Sequence, residues 1–167
     1  MIVARAAALI LAAGFTAGGW LGAHAAVRAL ADKLSIPVAT SLGGRGIVPT
    51  THAGHIGVVG TYSAPITNQL VHEADCVVYI GCHTGDQVTN NWTLPAAGTC
   101  IVQLDIDPAE IGRNYPGSLG LVGDARKTLQ ALDAAVGEPR EPGDWVRYAQ
   151  ATVQRWRQAV DPLQNSD

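Results

Sequence analysis

Residues 101–114, IVQLDIDPAEIGRN, constrain this chain more than any other stretch. A run of β-branched and apolar residues from Ile101 breaks without a spacer into a turn whose positions are individually specified. Asp107 stands as an N-cap, and Pro108 occupies the first helical position, where its missing N–H costs nothing. Glu110 follows at the third position, from which a carboxylate reaches back to the cap, so a helix is expected over 108–113. A buried strand delivered straight into a capped helix is the unit from which α/β sheets are built. In such sheets ligands sit where the strands end.

The rest of the chain repeats the unit. Strand-like runs at 7–13, 36–40, 76–80, 100–106 and 119–122, with a short sixth at 56–59, alternate with helical stretches at 20–34, 64–73, 108–113 and 125–136. The strands are apolar almost throughout instead of alternating, as burial on both faces requires. The expected fold class is therefore α/β: three layers, an about six-stranded parallel sheet, Rossmann-like, with Val77, Val78, Tyr79, Ile101, Val102 and Leu104 on central strands. The turn formers of 137–143 interrupt this pattern, and Asp144 opens a last helix with Trp145, Ala149, Thr152, Trp156 and Val160 near one face. The division expected is a central α/β domain over 1–137, followed at 138–167 by a C-terminal helix and the start of a linker.

Composition removes several function classes. The 167 residues are 47% hydrophobic and 15% charged, enough for one real core. Net charge is −3 and no stripe of Lys or Arg forms, so nucleic acid is not an expected partner. Arg5, the apolar run 6–15 and Ala23-His24-Ala25 imitate a secretory leader, but 7–13 reads better as the first buried strand, and the run is too short to span a bilayer. Three cysteines without a C-x-x-C suggest neither a disulfide framework nor a zinc site and fit a reducing cytoplasm. Of these, Cys82, at a strand end, is the one placed to be reactive. His52 and His55 have a metal-compatible spacing without an acidic or thiol partner nearby, so the two are read as loop histidines. No P-loop or G-x-S-x-G elbow occurs.

The 101–114 segment also resembles the IDIDPAEIG-type segment in the central domain of thiamine-diphosphate-dependent enzymes of the acetolactate synthase group. Three further blocks keep the family's order: KLSIPVATSLGGRG at 33–46, EADCVVYIG at 73–81 and LVGDA at 121–125. The resemblance extends from about residue 7 to residue 132. It implies a noncatalytic central domain, a scaffold with a nucleotide-binding sheet of the type found in NAD/FAD-binding domains related to deoxyhypusine synthase. Its partners would be a flanking pyrimidine-binding domain and a pyrophosphate-binding domain, in a full-length homo-oligomeric parent acting on 2-oxo acids. Thiamine diphosphate and Mg²⁺ would belong to that parent only. Their Gly-Asp-Gly segment with its later Asn is not found here, since Gly85-Asp86 and Gly123-Asp124 both lack the second Gly.

In the resembling enzymes a flavin adenine dinucleotide (FAD) or ADP lies across the strand ends, which implies a cofactor rim here of Gly14, Ser41, Leu42, Gly60, Gly81, His83, Asp105 and Ile106. This chain departs from the flavin binders: Ala12-Ala13-Gly14 replaces three glycines, His83 an arginine, Gly85 and Gln87 an acid and an arginine, and Tyr62 a histidine. Imidazole and amide cannot replace the bidentate phosphate grip of guanidinium, so an adenine nucleotide is expected in preference to a whole flavin. Asp105 would face a ribose, and backbone N–H groups near Gly14 a phosphate. No catalytic residue and no metal site are assigned. Two alternatives stay open: a free-standing NAD/FAD module, as in sirtuins, whose paired zinc cysteines are missing, and an interaction domain docking through exposed Trp145 and Trp156.

Overall fold

The computed structural model describes residues 7–11 and 23–164. Its strands are β1 (Ala7–Leu11), β2 (Val38–Thr40), β3 (His55–Val58), β4 (Cys76–Ile80), β5 (Cys100–Asp105) and β6 (Leu119–Val122). The helices are α1 (Ala23–Leu34), α2 (Pro65–Glu73), α3 (Ala125–Ala135) and α4 (Asp144–Gln164). All strand pairings are parallel, in the order β3-β2-β1-β4-β5-β6. The chain is thus α/β with a parallel sheet, wound outward from β1 in both directions. Strand order reverses between β1 and β4, and sheets of this topology take ligands at the carboxyl ends beside such a reversal.

Each face of the sheet has its own core. On one side α1 buries Ala23, Ala26, Val27, Leu30 and Ala31, the spacing of a single helical stripe. That stripe packs with Val38, Ile80, Leu104 and α3's Leu129. The opposite side gathers Ile56, Leu70, Val71, Val77 and Tyr79 under α2 and α4. Helix α1 stops at Ser35, whose φ of 51° leaves the helical region, and Lys33 in its last turn reaches the carbonyl of Asp133 on α3 at 2.5 Å. At the start of α3 the Asp124 side chain accepts the Lys127 N–H at 2.9 Å and caps the helix.

Four expectations need correction. The helix expected over 108–113 is a single 3-10 turn, Pro108–Glu110. Asp107 caps it by accepting the Ala109 N–H at 2.9 Å, but Glu110 turns into the protein instead of back to the cap. Two-sided burial fails at β6, where Leu119 and Val122 are 58% and 59% exposed, because β6 is an edge strand. Trp145 and Trp156 are not the exposed docking pair expected. Both are half-buried, and Trp145 packs against the core that includes Ala149 and Val153. The first half-turn expected for α1, residues 12–13 of the first strand and Gly14 lie outside the described residues.

Candidate functional site

The strand-end rim assembles from four loops. Past β2, Ser41 is buried and its Oγ accepts the Gly44 N–H at 3.0 Å, which tightens the turn that leaves Leu42 47% exposed. Past β3, Gly60 is clamped by Asn68 of α2, which accepts the Gly60 N–H at 2.8 Å and donates to its carbonyl at 3.0 Å. Gly81 follows β4 with φ of 58° and donates to the Leu104 carbonyl at 2.8 Å. At the end of β5 one Asp105 oxygen accepts the Asp107 N–H at 3.0 Å, and Ile106 is 72% exposed. Gly14 is among the residues not described.

His83 brings in residues that the sequence reading did not assign to the rim. Its Nδ1 pairs with Glu110 Oε1 at 2.9 Å, and Arg113 Nη1 reaches the same oxygen at 2.9 Å. Glu110 is only 6% exposed, and its Oε2 is buried without a hydrogen-bond partner among the described residues. Arg113 and Asn114 also donate to the His83 carbonyl, at 2.9 and 3.1 Å. The sequence held a signal for this: a carboxylate, a histidine and an arginine in the loops at neighbouring strand ends. What it lacked was the knowledge that the turn would be too short for Glu110 to serve its own cap. The outcome is a rim whose histidine and arginine are already committed to a buried carboxylate of the same chain.

Burial also decides the fate of Cys82. Its thiol is pushed up to about 12, first by burial and further by the carboxylates of Asp105 and Glu110, although the Thr84 N–H it accepts works the other way. A thiol so protonated is a poor nucleophile. Under native conditions at pH 8, Cys82 is therefore expected to resist iodoacetamide for as long as the fold persists, with peptide mapping as the readout. Labelling of Cys82 as fast as in denaturant would contradict this. Cys100, half-buried, serves as the internal comparison.

The two histidines of 52–55 separate in role. His52 spends both ring nitrogens on the chain, one on Asp32 at 2.9 Å and the other accepting the Gly54 N–H at 3.1 Å. His55 is buried on β3, and its pKa is lowered from the ordinary 6.5 by burial first, then by the Arg157 guanidinium of α4 and by His52. Between the folded value and 6.5 the unfolded chain binds the proton and the folded chain does not, so stability rises with pH across that window. It is lost as pH falls through the window. Thermal melts from about pH 5 to 7 should show this slope in the parent chain and a flatter one in His55→Gln; parallel curves would refute the assignment.

Among the described residues no three His, Cys, Asp or Glu side chains gather as a metal site, and no helix is long and apolar enough to cross a membrane. Residues 1–132 match the family described as thiamine pyrophosphate enzyme, central domain. The chain is similar to a probable acetolactate synthase large subunit of Methanocaldococcus jannaschii, with 39% identity over 69% of this chain and 20% of that protein. It is also similar to a probable acetolactate synthase large subunit of Methanococcus aeolicus, at 31% identity over 99% of this chain and 27% of that protein. With the acetolactate synthase isozyme 3 large subunit of Escherichia coli K12 it shares 28% identity over 81% of its own length and 24% of the relative's. The chain thus spans about a fifth to a quarter of the curated relatives it matches.

Proposed function

The chain belongs to the thiamine pyrophosphate enzyme family as its central domain, and from that premise we propose that it is a noncatalytic scaffold in an acetolactate-synthase-like enzyme acting on 2-oxo acids. The observation that carries this reading is the state of the rim: Ser41, Asp105, His83 and Arg113 each hold another part of the same chain. Side chains so engaged fix the crevice and leave the chemistry to groups supplied by neighbouring domains. Thiamine diphosphate and Mg²⁺ then bind only where pyrimidine- and pyrophosphate-binding domains flank this one, in a cytoplasmic homo-oligomer.

The test is calorimetric titration of the chain with thiamine diphosphate and Mg²⁺, alongside a 2-oxo acid carboligation assay. No saturable binding and no turnover are expected from the chain alone, with both appearing when flanking domains are present. Micromolar cofactor binding by the chain alone would overturn the proposal.

The rim of Ser41, Leu42, Gly60, Gly81, His83, Asp105 and Ile106, together with Gly14, which lies outside the described residues, is proposed to take an adenine nucleotide more readily than FAD. The order is supported by the departures from flavin binders at Gly85, Gln87 and Tyr62; the pairing of His83 and Arg113 with Glu110 leaves fewer donors for any phosphate, whether of ADP or of FAD. ADP is expected to bind more tightly than FAD. Quenching of flavin fluorescence at lower concentrations than those at which ADP binds would reverse it.

A further inference from the structure

A concavity lies at the β3 edge of the sheet. It is a groove of about 900 Å³ between β2 and β3, the loop 45–51 and the C-terminal half of α4, a size suited to a small organic ligand. Its lining includes Thr40 and His55 from the strands, Arg45 from the loop, Tyr62, and Trp156 and Arg157 from α4.

Two features distinguish it from a packing defect. Thr40 Oγ1 and His55 Nδ1 are buried with no hydrogen-bond partner among the described residues. Both atoms are closed to solvent in this structure, so a partner reaches them only as the groove wall shifts; buried polar atoms are nearly always paired, and two orphans on residues that line one groove point to such a partner. The backbone supports the arrangement: Val38 pairs with His55 and Ala39 with Gly57, so Ile56 is an extra residue in β3. A bulge of this kind re-aims side chains, and His55 and Ile56 are accordingly buried in succession.

The second feature is charge. Arg45 and Arg157 line the groove, and Asp161 is the acidic residue that lines it with them. Arg157 reaches the His55 carbonyl at 3.4 Å, a long contact. Trp156, half-buried, and Tyr62, 64% exposed, supply flat apolar surface beside these cations.

We propose that this groove binds a small organic anion, a carboxylate or phosphate monoester carrying an apolar body, with its charge on Arg45 and Arg157, its acceptor or donor groups on Thr40 and His55, and its body against Trp156 and Tyr62. The site does not depend on the scaffold reading: none of these residues is among the rim residues named above, although Thr40 adjoins Ser41 and Tyr62 stands where flavin binders carry a histidine.

Titration of the ¹⁵N-labelled chain with benzoate and with phenyl phosphate, followed by heteronuclear NMR, tests it. Saturable shifts are expected at residues 40 and 55 and at the Trp156 indole, from one or both probes; which probe binds identifies the anion. Arg157→Met and, separately, Arg45→Met are expected to weaken binding by roughly tenfold with the spectrum otherwise retained. Absence of saturable shifts with either anion at millimolar concentration would overturn the proposal. Equal response to benzylammonium, or unchanged affinity in both arginine variants, would overturn it as well.

Discussion

Gly60→Ala is expected to destabilise the chain by about 3 kcal/mol, combining left-handed strain with overpacking against backbone. Gly60 has φ of 105°, and a Cβ there would lie 1.9 Å from the Gln87 carbonyl oxygen and 2.9 Å from Val88 Cα. Neither neighbour is free to retreat, because the same Gln87 oxygen accepts the Thr61 N–H at 2.8 Å. Asn68 pins Gly60 from the other side, through both its N–H and its carbonyl. Gly85→Ala is the control: nothing lies within 4 Å of its added Cβ, and a change within about 0.5 kcal/mol is expected. Urea unfolding of both variants reads the difference. Equal midpoints would show that the 60–61 and 87–88 segments are not in the contact described.

The second large effect is expected from Leu129→Ala, about 3 kcal/mol, by loss of buried apolar surface and creation of a cavity. Leu129 is 1% exposed and is the buried residue of α3. It packs into the layer formed by Val27, Leu30, Ile80 and Leu104, so it joins α1, α3 and two strands. Leu163→Ala, at a site 77% exposed on α4, should stay within about 0.5 kcal/mol. If the two variants unfold at the same denaturant concentration, α3 is not anchored by this residue.

Legibility in the sequence followed the range of the forces involved. Residues 76–80 and 119–122 become strands with the bounds their β-branched and apolar runs imply. The Asp107 cap forms as its local chemistry specifies. Membership of the thiamine pyrophosphate enzyme family was legible too, because its motifs are short contiguous segments kept in order. The candidate rim was legible only as a set of strand ends. Gly60 read as a place for ligand approach, whereas in the fold its lack of a side chain admits the backbone of residues 87–88.

What the sequence by itself determined was the alternation of strands and helices, the parallel sheet they imply and the residues at its carboxyl ends, all consequences of local pattern and backbone preference. Only the tertiary structure decided how long the 108–110 turn would be and where Glu110 would point. A capping box is a contact between near neighbours, but a carboxylate 6% exposed is governed by whichever hydrogen-bond donors the fold brings to it. Here those are His83 and Arg113. The tertiary structure likewise decided that Trp145 packs against the core and that Thr40 and His55, fifteen positions apart, line one groove. Contacts of this range arise from strand pairing and the β3 bulge, and no window of sequence contains them.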